Sequence, residues 1–342
     1  MTRPWSLARR AVAVAGLIAF ATVPASAQEL NLYTTREPGL IKPLMEAFTK
    51  STGIKVNSVF IKDGLAERVT AEGAKSPADV LMTVDLGNLI DLVEKGLTQP
   101  VKSAVLEKAI PGNLRGANGD WFTLSLRARV LYAGKDLGLS TFNYESLADP
   151  RWKGKVCIRS GQHPYNTAMI AAYIAKHGEA KAEAWLRGMK ANLGRAATGG
   201  DRDVARDIMG GICDVGIANS YYVGLMRSGA GGPEQIKWGN AIKVILPTFE
   251  GGGTQVNISG ASIAKHSPNR AGAVRFLEYL VSDEAQKIYA EADYEYPVKA
   301  GAPIHPLIAA LGTLKVDSIP LTEIARYRAA ASKLVDKVGF DR

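Results

Sequence analysis

The sequence predicts an α/β fold of two lobes that are joined by two extended crossings. Short β-forming runs alternate with amphipathic helical segments, a pattern typical of mainly parallel sheets covered by helices on both faces. Two β-rich stretches, 120–134 and 243–265, are longer than ordinary strands and interrupt this alternation. Roughly 315 residues follow an N-terminal leader, which is more than one compact core normally holds. We therefore expect two lobes.

The leader, residues 1–27, has the pattern of a secretory signal peptide. Three arginines precede an apolar run over residues 11–21, and Ala25-Ser26-Ala27 matches the small-residue pattern of a signal peptidase site. The mature chain is therefore expected to begin at Gln28 and to reside in the periplasm. A pair of adjacent arginines in the leader leaves the twin-arginine export route open beside the general route.

The distribution of charge indicates no nucleic-acid partner. The formal charge of the whole chain is +9, and removal of the three leader arginines lowers it to +6. The remaining lysines and arginines are spread out and form no basic block of the kind that binds nucleic acid.

Beyond the leader, no segment has the roughly 18 uninterrupted apolar residues of a membrane span. We expect a soluble monomer.

Three β-α units are predicted between residues 29 and 96. Each unit pairs a short β-forming run with an amphipathic helix, and Gly53 and Gly96 are placed to end the first and third helices. The predicted strands cover 29–35, 54–60 and 78–84, and the predicted helices cover 39–53, 64–74 and 86–96. These units build the first lobe, which we expect to comprise 28–125 and about 250–300.

A second β-α series is predicted for the other lobe, 126–249 with about 301–342. It has strands at Cys157 and Cys213, helices from about residues 165, 179 and 201, and a C-terminal helix over 321–339, while a helix over 269–292 belongs to the first lobe. The stretches 120–134 and 243–265 fit crossings between the lobes, and two such crossings form a hinge. A glycine triplet in the middle of the second crossing predicts flexibility there.

Cys157 and Cys213 are the only cysteines of the chain. Both lie in apolar runs that are interpreted as strands. An even number of cysteines in an exported protein favours a disulfide, which forms and persists in an oxidising compartment. We predict a bond between them, and two buried free thiols are the alternative.

Common catalytic signatures are absent from the sequence. It contains no Gly-x-Ser-x-Gly elbow, no phosphate-binding loop of the Walker type and no His-Glu-x-x-His motif. Its four histidines also lack the spacing of metal ligands. An exported two-lobe α/β protein of this kind is expected to be a solute-binding protein and not an enzyme, with its ligand between the lobes.

Tyr221 and Tyr222 follow Ser220 at the end of an apolar run, and this placement suggests the ligand. Adjacent side chains point to opposite faces of a strand, whereas at a helix start they lie about 100° apart and two hydroxyls can converge. Ser220 can cap a helix that begins at Tyr221, and the positive end of that helix favours phenolates. Phenolates are hard oxygen donors that suit a trivalent cation. We predict Fe(III), with packing at a sheet edge as the alternative.

A set of motifs along almost the whole mature chain supports this interpretation. In order, they are ELNLYTTRE, SPADVLMTVDLGNL, WFTLSLRARVLY, LADPRWKGKVCIRS, YNTAMIAA, DVGIANSYYVG, NISGASIAKHSPN and YEYPV. With these motifs the chain resembles the periplasmic ferric-iron-binding proteins, the solute receptors of iron(III) ABC importers, in the branch found in cyanobacteria. The resemblance implies the type II periplasmic-binding-protein fold, Fe(III) as the transported ligand and an ABC permease of the inner membrane as partner.

The same resemblance implies the residues of the site. Tyr221 and Tyr222 match the tandem tyrosines that bind iron, and Tyr165 matches a third tyrosine of the YN motif. Arg127, in SLRAR, matches an arginine that lies beside the metal and balances phenolate charge or holds an anion such as carbonate. Helix packing for Tyr165 and an ordinary strand position for Arg127 are the alternatives.

One segment departs from the family pattern. Glu37-Pro38 stands where the family usually carries His or His-Tyr. Glu37 can supply a carboxylate oxygen, so the expected shell is three phenolates with Glu37, or three phenolates with water, carbonate or another anion. A first-turn helix acid is the alternative for Glu37. Asp85 matches a position that is an acidic ligand in some members and is a reserve candidate.

Two other functions remain open from the sequence. The first is a receptor for an organic solute such as a polyamine, thiamine or a phosphonate. The second is an exported enzyme that uses a metal for redox or hydrolytic chemistry. Such an enzyme needs open coordination sites and a nearby general base, and no candidate base stands out.

Overall fold

The structure is a computed structural model that describes residues 1–2 and 29–342. Apart from its first two residues, the predicted signal peptide therefore lies outside the described residues. Within the described part of the chain, no helix has the length and apolar character that a membrane span requires.

The strands form a curled sheet in which the long strand β5 belongs to two parts. The strands are β1 (Glu29–Thr34), β2 (Lys55–Phe60), β3 (Val80–Thr83), β4 (Thr98–Gln99), β5 (Phe122–Gly134), β6 (Val156–Cys157), β7 (Val215–Asn219), β8 (Ile242–Ile245), β9 (Val256–Ala264) and β10 (Tyr296–Pro297). The order β2-β1-β3-β9-β5 forms the first part, in which β1 is parallel to β2 and β3, and β9 runs antiparallel to β3 and β5. The second part contains β5, β7 and β6, with β8 paired to β5.

Strand β5 passes from one part of the sheet to the other, as a crossing strand should. Its residues up to Ala128 pair with β9, and its residues from Arg129 pair with β7. All but the last of its 13 residues are buried, because helices and neighbouring strands cover both faces. The sequence FTLSLRARVLYAG contains no proline and no internal glycine that would interrupt such a strand. The predicted first crossing is confirmed.

Helices cover the faces of both parts of the sheet. They are α1 (Pro38–Thr52), α2 (Leu65–Glu72), α3 (Leu86–Glu94), α4 (Ala104–Ala109), α5 (Pro164–His177), α6 (Glu179–Ala191), α7 (Asp201–Met209), α8 (Tyr221–Ser228), α9 (Pro233–Ala241), α10 (Arg270–Leu280), α11 (Asp283–Asp293), α12 (Pro306–Ala309), α13 (Leu321–Arg326) and α14 (Arg328–Val338). Helix α1 ends at Gly53, which has φ 74° and donates its N–H to the carbonyl of Thr49. Only glycine adopts this left-handed conformation without a steric penalty, so the predicted helix end is confirmed.

The glycine triplet of the second crossing forms a hydrogen-bonded turn, and its flexibility stays a prediction. The N–H of Gly252 donates to the carbonyl of Phe249 over 2.9 Å, and the N–H of Gly253 donates to Asp317 Oδ2 over 2.8 Å. A Cβ atom at Gly252 would lie 2.3 Å from the Asp317 carboxylate, and one at Gly253 would lie 2.5 Å from the carbonyl oxygen of Lys315. The glycines are needed because a remote segment packs directly against this turn.

A disulfide bond joins Cys157 to Cys213, as predicted. Cys157 lies in β6, whereas Cys213 lies in the turn before β7 and not in a strand. Both cysteines are buried. The bond therefore links the end of β6 to the segment just before β7, its parallel neighbour.

Removal of this bond is expected to destabilise the protein. Closing a loop with a sequence separation of 56 residues lowers the entropy of the unfolded chain, so Cys157→Ser with Cys213→Ser should lower the free energy of unfolding by about 4 kcal/mol. Urea denaturation measures the loss, and the reduced wild type should resemble the variant. Equal midpoints for the oxidised wild type and the variant would contradict this expectation.

Candidate metal centre

Three tyrosines come together because two parallel strands end at the same edge of the sheet. Strand β6 is parallel to β7, and the helices that follow them, α5 and α8, carry Tyr165 and the pair Tyr221 and Tyr222 near their first residues. The carboxyl ends of parallel strands in such sheets are the usual place for ligands. The order of the strands thus brings together phenols that are far apart in the sequence.

The tandem tyrosines lie at a helix start, so the strand interpretation of this pair is wrong. Helix α8 begins at Tyr221, and the ring centroids of Tyr221 and Tyr222 are 4.1 Å apart with planes inclined by 34°. Both side chains are half-buried. Two rings that stand side by side in this way present neighbouring hydroxyls, which the opposite faces of a strand would separate.

Ser220 fixes the start of α8 but does not cap the helix, which corrects the predicted role of its hydroxyl. Its backbone is already helical, with φ −58° and ψ −40°, whereas a capping residue is usually extended. The Ser220 hydroxyl instead accepts the N–H of Ala128 over 3.2 Å, and the N–H of Ser220 donates to the Ala128 carbonyl over 2.9 Å. The tyrosine pair is therefore anchored to β5, one residue after Arg127.

Tyr165 is the second residue of α5 and lies between two arginines. The guanidinium carbons of Arg127 and Arg159 are each 5.5 Å from the centroid of its ring. His163 precedes the helix as its N-cap, and its Nδ1 accepts the N–H of Tyr165 over 3.3 Å. Burial lowers the pKa of His163 to about 4, and the neighbouring Arg159 contributes in the same direction. His163 is therefore neutral at pH 7 and positions the start of the helix.

The three phenols influence one another electrostatically. Burial raises the pKa of Tyr221 well above its ordinary value, and the neighbouring Tyr165 and Tyr222 raise it further, whereas Arg127 lowers it. Burial is also the main reason why the pKa of Tyr222 is raised. The three rings and the Arg127 guanidinium therefore form one cluster, which we call the tyrosine cluster.

Arg127 joins the tyrosine cluster to the first part of the sheet. Its side chain is 2% exposed. Its Nη2 donates to the carbonyl of Val84, which follows β3, and to the carbonyl of Ile258 in β9. Its Nε lies 4.0 Å from Glu295 Oε1. A fixed positive charge thus lies where the two parts of the sheet meet and beside the ring of Tyr165.

Glu37 lies between β1 and α1 in the first part of the sheet. Glu37 is exposed and precedes α1 as its N-cap residue, without a side-chain capping hydrogen bond. Its neighbour Arg36 and the cluster residue Arg127 both lie against the carboxylate of Glu295. Within the described residues, Glu37 makes no hydrogen bond with the tyrosines, and its role as a ligand stays a prediction.

Asp85, the reserve candidate, has a structural role in the first part of the sheet. Its Oδ1 accepts the N–H groups of Gly87 and Asn88 at the start of α3 over 2.9 and 3.2 Å, and its Oδ2 accepts Asn257 Nδ2 over 2.8 Å. Arg328 Nη2 lies 3.7 Å from Oδ1. Both carboxylate oxygens are therefore engaged with protein groups, and Asp85 stays a reserve candidate.

A buried network beneath the tyrosine cluster was missed by sequence reasoning. Arg129 Nη1 lies 2.6 Å from Asp201 Oδ2 and 3.0 Å from Asn219 Oδ1, and Arg129 Nη2 donates to Asn166 Oδ1. The N–H of Asn219 donates to Asp201 Oδ2 over 2.7 Å. Asn166 directly follows Tyr165, and Asn219 lies just before the tandem tyrosines. The available signal was a second arginine on the same face of a mainly apolar strand, because such a charge needs a buried partner.

The donor set of the tyrosine cluster differs from that of common metal sites. Within the described part of the chain, no group of three or more His, Cys, Asp or Glu side chains is arranged to hold a metal ion. The oxygen donors that do converge are phenols, which bind hard and highly charged cations once they lose their protons.

Residues 33–287 match the profile of the bacterial extracellular solute-binding proteins, and the chain belongs to this family. Together with the two-part sheet, this match defines a two-lobe receptor of type II. Its curated relatives include iron uptake protein A1 of Synechocystis, which is 41% identical over 323 residues, covering 94% of this chain and 89% of that protein.

Solved structures agree with this assignment. A Bordetella ferric binding protein is 65% identical with a TM-score of 0.89, and the match covers 92% of this chain and 100% of that chain. A Trichodesmium protein solved in complex with iron and citrate ligands is 42% identical with a TM-score of 0.87, covering 91% of this chain and 99% of that chain. The predicted two-lobe fold of type II is confirmed.

Proposed function

We propose that the protein captures Fe(III) in the periplasm and delivers it to an ABC permease of the inner membrane. The observation that carries this proposal is the convergence of Tyr165, Tyr221 and Tyr222 next to the buried guanidinium of Arg127. Relatives and similar structures that are named for iron uptake or ferric iron binding support the same cargo. The role is that of a carrier and not of an enzyme.

The three phenols supply the iron ligands of the second lobe. Each loses its proton when the trivalent ion approaches, and three phenolates neutralise the charge of Fe(III). Glu37, which follows β1 of the first lobe, supplies a fourth oxygen when the lobes close over the ion, or water or an anion such as carbonate takes that place. Arg127 offsets the negative charge that Glu37 or the anion adds. Closure is favourable because the ion gains its full shell only from both lobes.

The proposed setting follows from the same argument. The leader 1–27 directs export, and the mature protein acts as a monomer with lobes of 28–125 plus about 250–300 and of 126–249 plus about 301–342. The permease then meets a closed, iron-loaded receptor. Sedimentation of the mature protein with and without iron checks the monomeric state, and a dimer in either sample would contradict it.

A direct experiment is titration of the mature protein with ferric citrate. Phenolate-bound Fe(III) should produce a visible charge-transfer absorption that saturates at one ion per chain. The matched measurement is calorimetry with a polyamine, thiamine and a phosphonate under the same conditions. Binding of one of these solutes without any coloured iron complex would overturn the proposal. Titration with bicarbonate removed and restored tests whether an anion completes the shell.

Acid is expected to release the iron. Burial raises the pKa of Tyr221 and of Tyr222, so both phenols carry protons at neutral pH until the metal displaces them. Protons compete more strongly as the pH falls, and the affinity for iron should therefore decrease between about pH 7 and about pH 5. Ferric citrate titrations at several pH values, read by absorbance, measure this trend. A pH-independent affinity would argue against phenolate ligands.

A further inference from the structure

A second cluster of buried charges lies behind the tyrosine cluster and outside the proposed ligands. Arg36 Nη1 is 2.5 Å from Asp293 Oδ2, and Arg36 Nη2 is 3.0 Å from Glu295 Oε2. Arg127 Nε is 4.0 Å from Glu295 Oε1. These four side chains are at most 6% exposed. Two guanidinium groups and two carboxyl groups are thus enclosed together, and Glu295 is the carboxylate that faces both arginines.

The backbone places Glu295 opposite Arg127. Strand β10 runs antiparallel to β5 with Tyr296 paired to Leu126, so the preceding residue, Glu295, lies next to the position of Arg127. Its carboxylate accepts the hydroxyl of Ser125 in β5 and, over 3.2 Å, the hydroxyl of Ser259 in β9. The carboxylate is therefore held by both neighbouring strands and does not depend on Arg127 for its position.

The charge of Glu295 persists in this buried place. Burial alone would raise the pKa of this carboxyl, but Arg36 and Arg127 outweigh burial and hold the pKa below its ordinary value. An ionised carboxylate 4.0 Å from the guanidinium opposes the potential that Arg127 exerts on its other neighbour, the ring of Tyr165. At such distances, and shielded from water, one charge changes the energy of another substantially.

We propose that Glu295 is a positioning residue for iron binding, which acts through the guanidinium of Arg127 and limits the positive charge that the ligand phenolates feel. This inference rests on the proposed function, because it concerns the same ligands. Glu295 itself does not touch the ion. Its influence passes through Arg127, whose other anchors are the carbonyls of Val84 and Ile258.

The experiment replaces the charge and keeps the shape. Glu295→Gln retains acceptor and donor atoms for the two serine hydroxyls but removes the negative charge. Arg127 stays bonded to the two carbonyls, so its positive charge acts on Tyr165 without opposition. Because that charge lies 5.5 Å from the centroid of the Tyr165 ring, it stabilises the electrons of the phenolate and raises the energy of the phenolate-to-iron transition. We expect the absorption maximum of the iron-loaded mature protein to move to shorter wavelength.

Two further variants separate this role from a purely structural one. Glu295→Asp keeps the charge but draws it back by one methylene, so we expect a smaller shift in the same direction. If Glu295→Gln does not fold, the spectrum of Glu295→Asp tests the proposal. Asp293→Asn removes an equally buried carboxylate that bonds Arg36 instead of Arg127, so its absorption maximum should match that of the wild type. Thermal unfolding of each variant is recorded beside the spectrum.

The outcomes distinguish the inference from the function on which it rests. A wild-type protein that develops no colour with ferric citrate defeats the proposed function. A coloured wild type with unchanged maxima in both Glu295 variants defeats only the role of Glu295. An equal shift in Asp293→Asn also defeats it, because the effect would then belong to the whole charge cluster. A graded shift that is confined to the Glu295 variants supports it.

Discussion

Tyr221→Phe and Tyr222→Phe are each expected to bleach much of the visible absorption of the iron complex and to weaken Fe(III) binding by at least about tenfold, or ~1.4 kcal/mol. Phenylalanine keeps the ring-to-ring contact at 4.1 Å but removes the oxygen that binds the metal. The loss should therefore appear in the spectrum and in the affinity and leave the fold intact. Absorbance titration with ferric citrate measures both quantities.

Tyr173→Phe is the matched control for these variants. Tyr173 lies on α5, the helix of Tyr165, but stacks on Trp185 with a centroid distance of 4.1 Å and is buried away from the tyrosine cluster. It loses the same hydroxyl, so it should keep the colour and the affinity of the wild type. If Tyr221→Phe and Tyr222→Phe behaved like this control, the assignment of the metal centre would be wrong.

Asp201→Asn is expected to produce a large loss of stability, about 3–5 kcal/mol of unfolding free energy. The substitution removes the carboxylate that neutralises Arg129, a guanidinium with no solvent exposure. It also weakens the acceptor of the Asn219 N–H. In the variant the Arg129 guanidinium keeps its hydrogen bonds to Asn166 and Asn219 but has neither water nor a negative charge to compensate it, which destabilises the folded state.

Chemical denaturation measures this loss, and Asp214→Asn is the control. Asp214 pairs with Lys155 over 2.9 Å at the surface, where both side chains are substantially exposed. Removal of that pair should cost less than about 1 kcal/mol. Since Asn219 lies close to the tandem tyrosines, Asp201→Asn should also weaken iron binding. A variant as stable as Asp214→Asn would show that the Arg129 pair contributes little.

Local sequence patterns predicted the elements of the fold well. The alternation of β-forming runs and amphipathic helices located the first three β-α units, and Gly53 ends α1 as expected. The length of β5 indicated a strand shared by two lobes. The packing of the glycine triplet against Asp317 was not predicted, because it involves a segment far along the chain.

The candidate site was predictable in its residue types but not in its supporting contacts. Tyr165, Tyr221 and Tyr222 were proposed from hard-ligand chemistry and from resemblance, and the structure places their rings in one cluster. The role of Ser220 was predicted wrongly, because its hydroxyl bonds Ala128 of a neighbouring strand and not its own helix. The link between Glu295 and Arg127 was not predicted at all.

By itself, the sequence determined which segments are strands and helices, where α1 ends and which side chains suit a trivalent cation. These properties depend on periodicity, backbone preference and side-chain chemistry, all of which act over a few residues. Only the tertiary structure decided that β6 lies parallel to β7, so that the starts of α5 and α8 meet. It also decided which carboxylate compensates each buried arginine. Such pairings depend on the order of strands in the sheet, and no local pattern encodes that order.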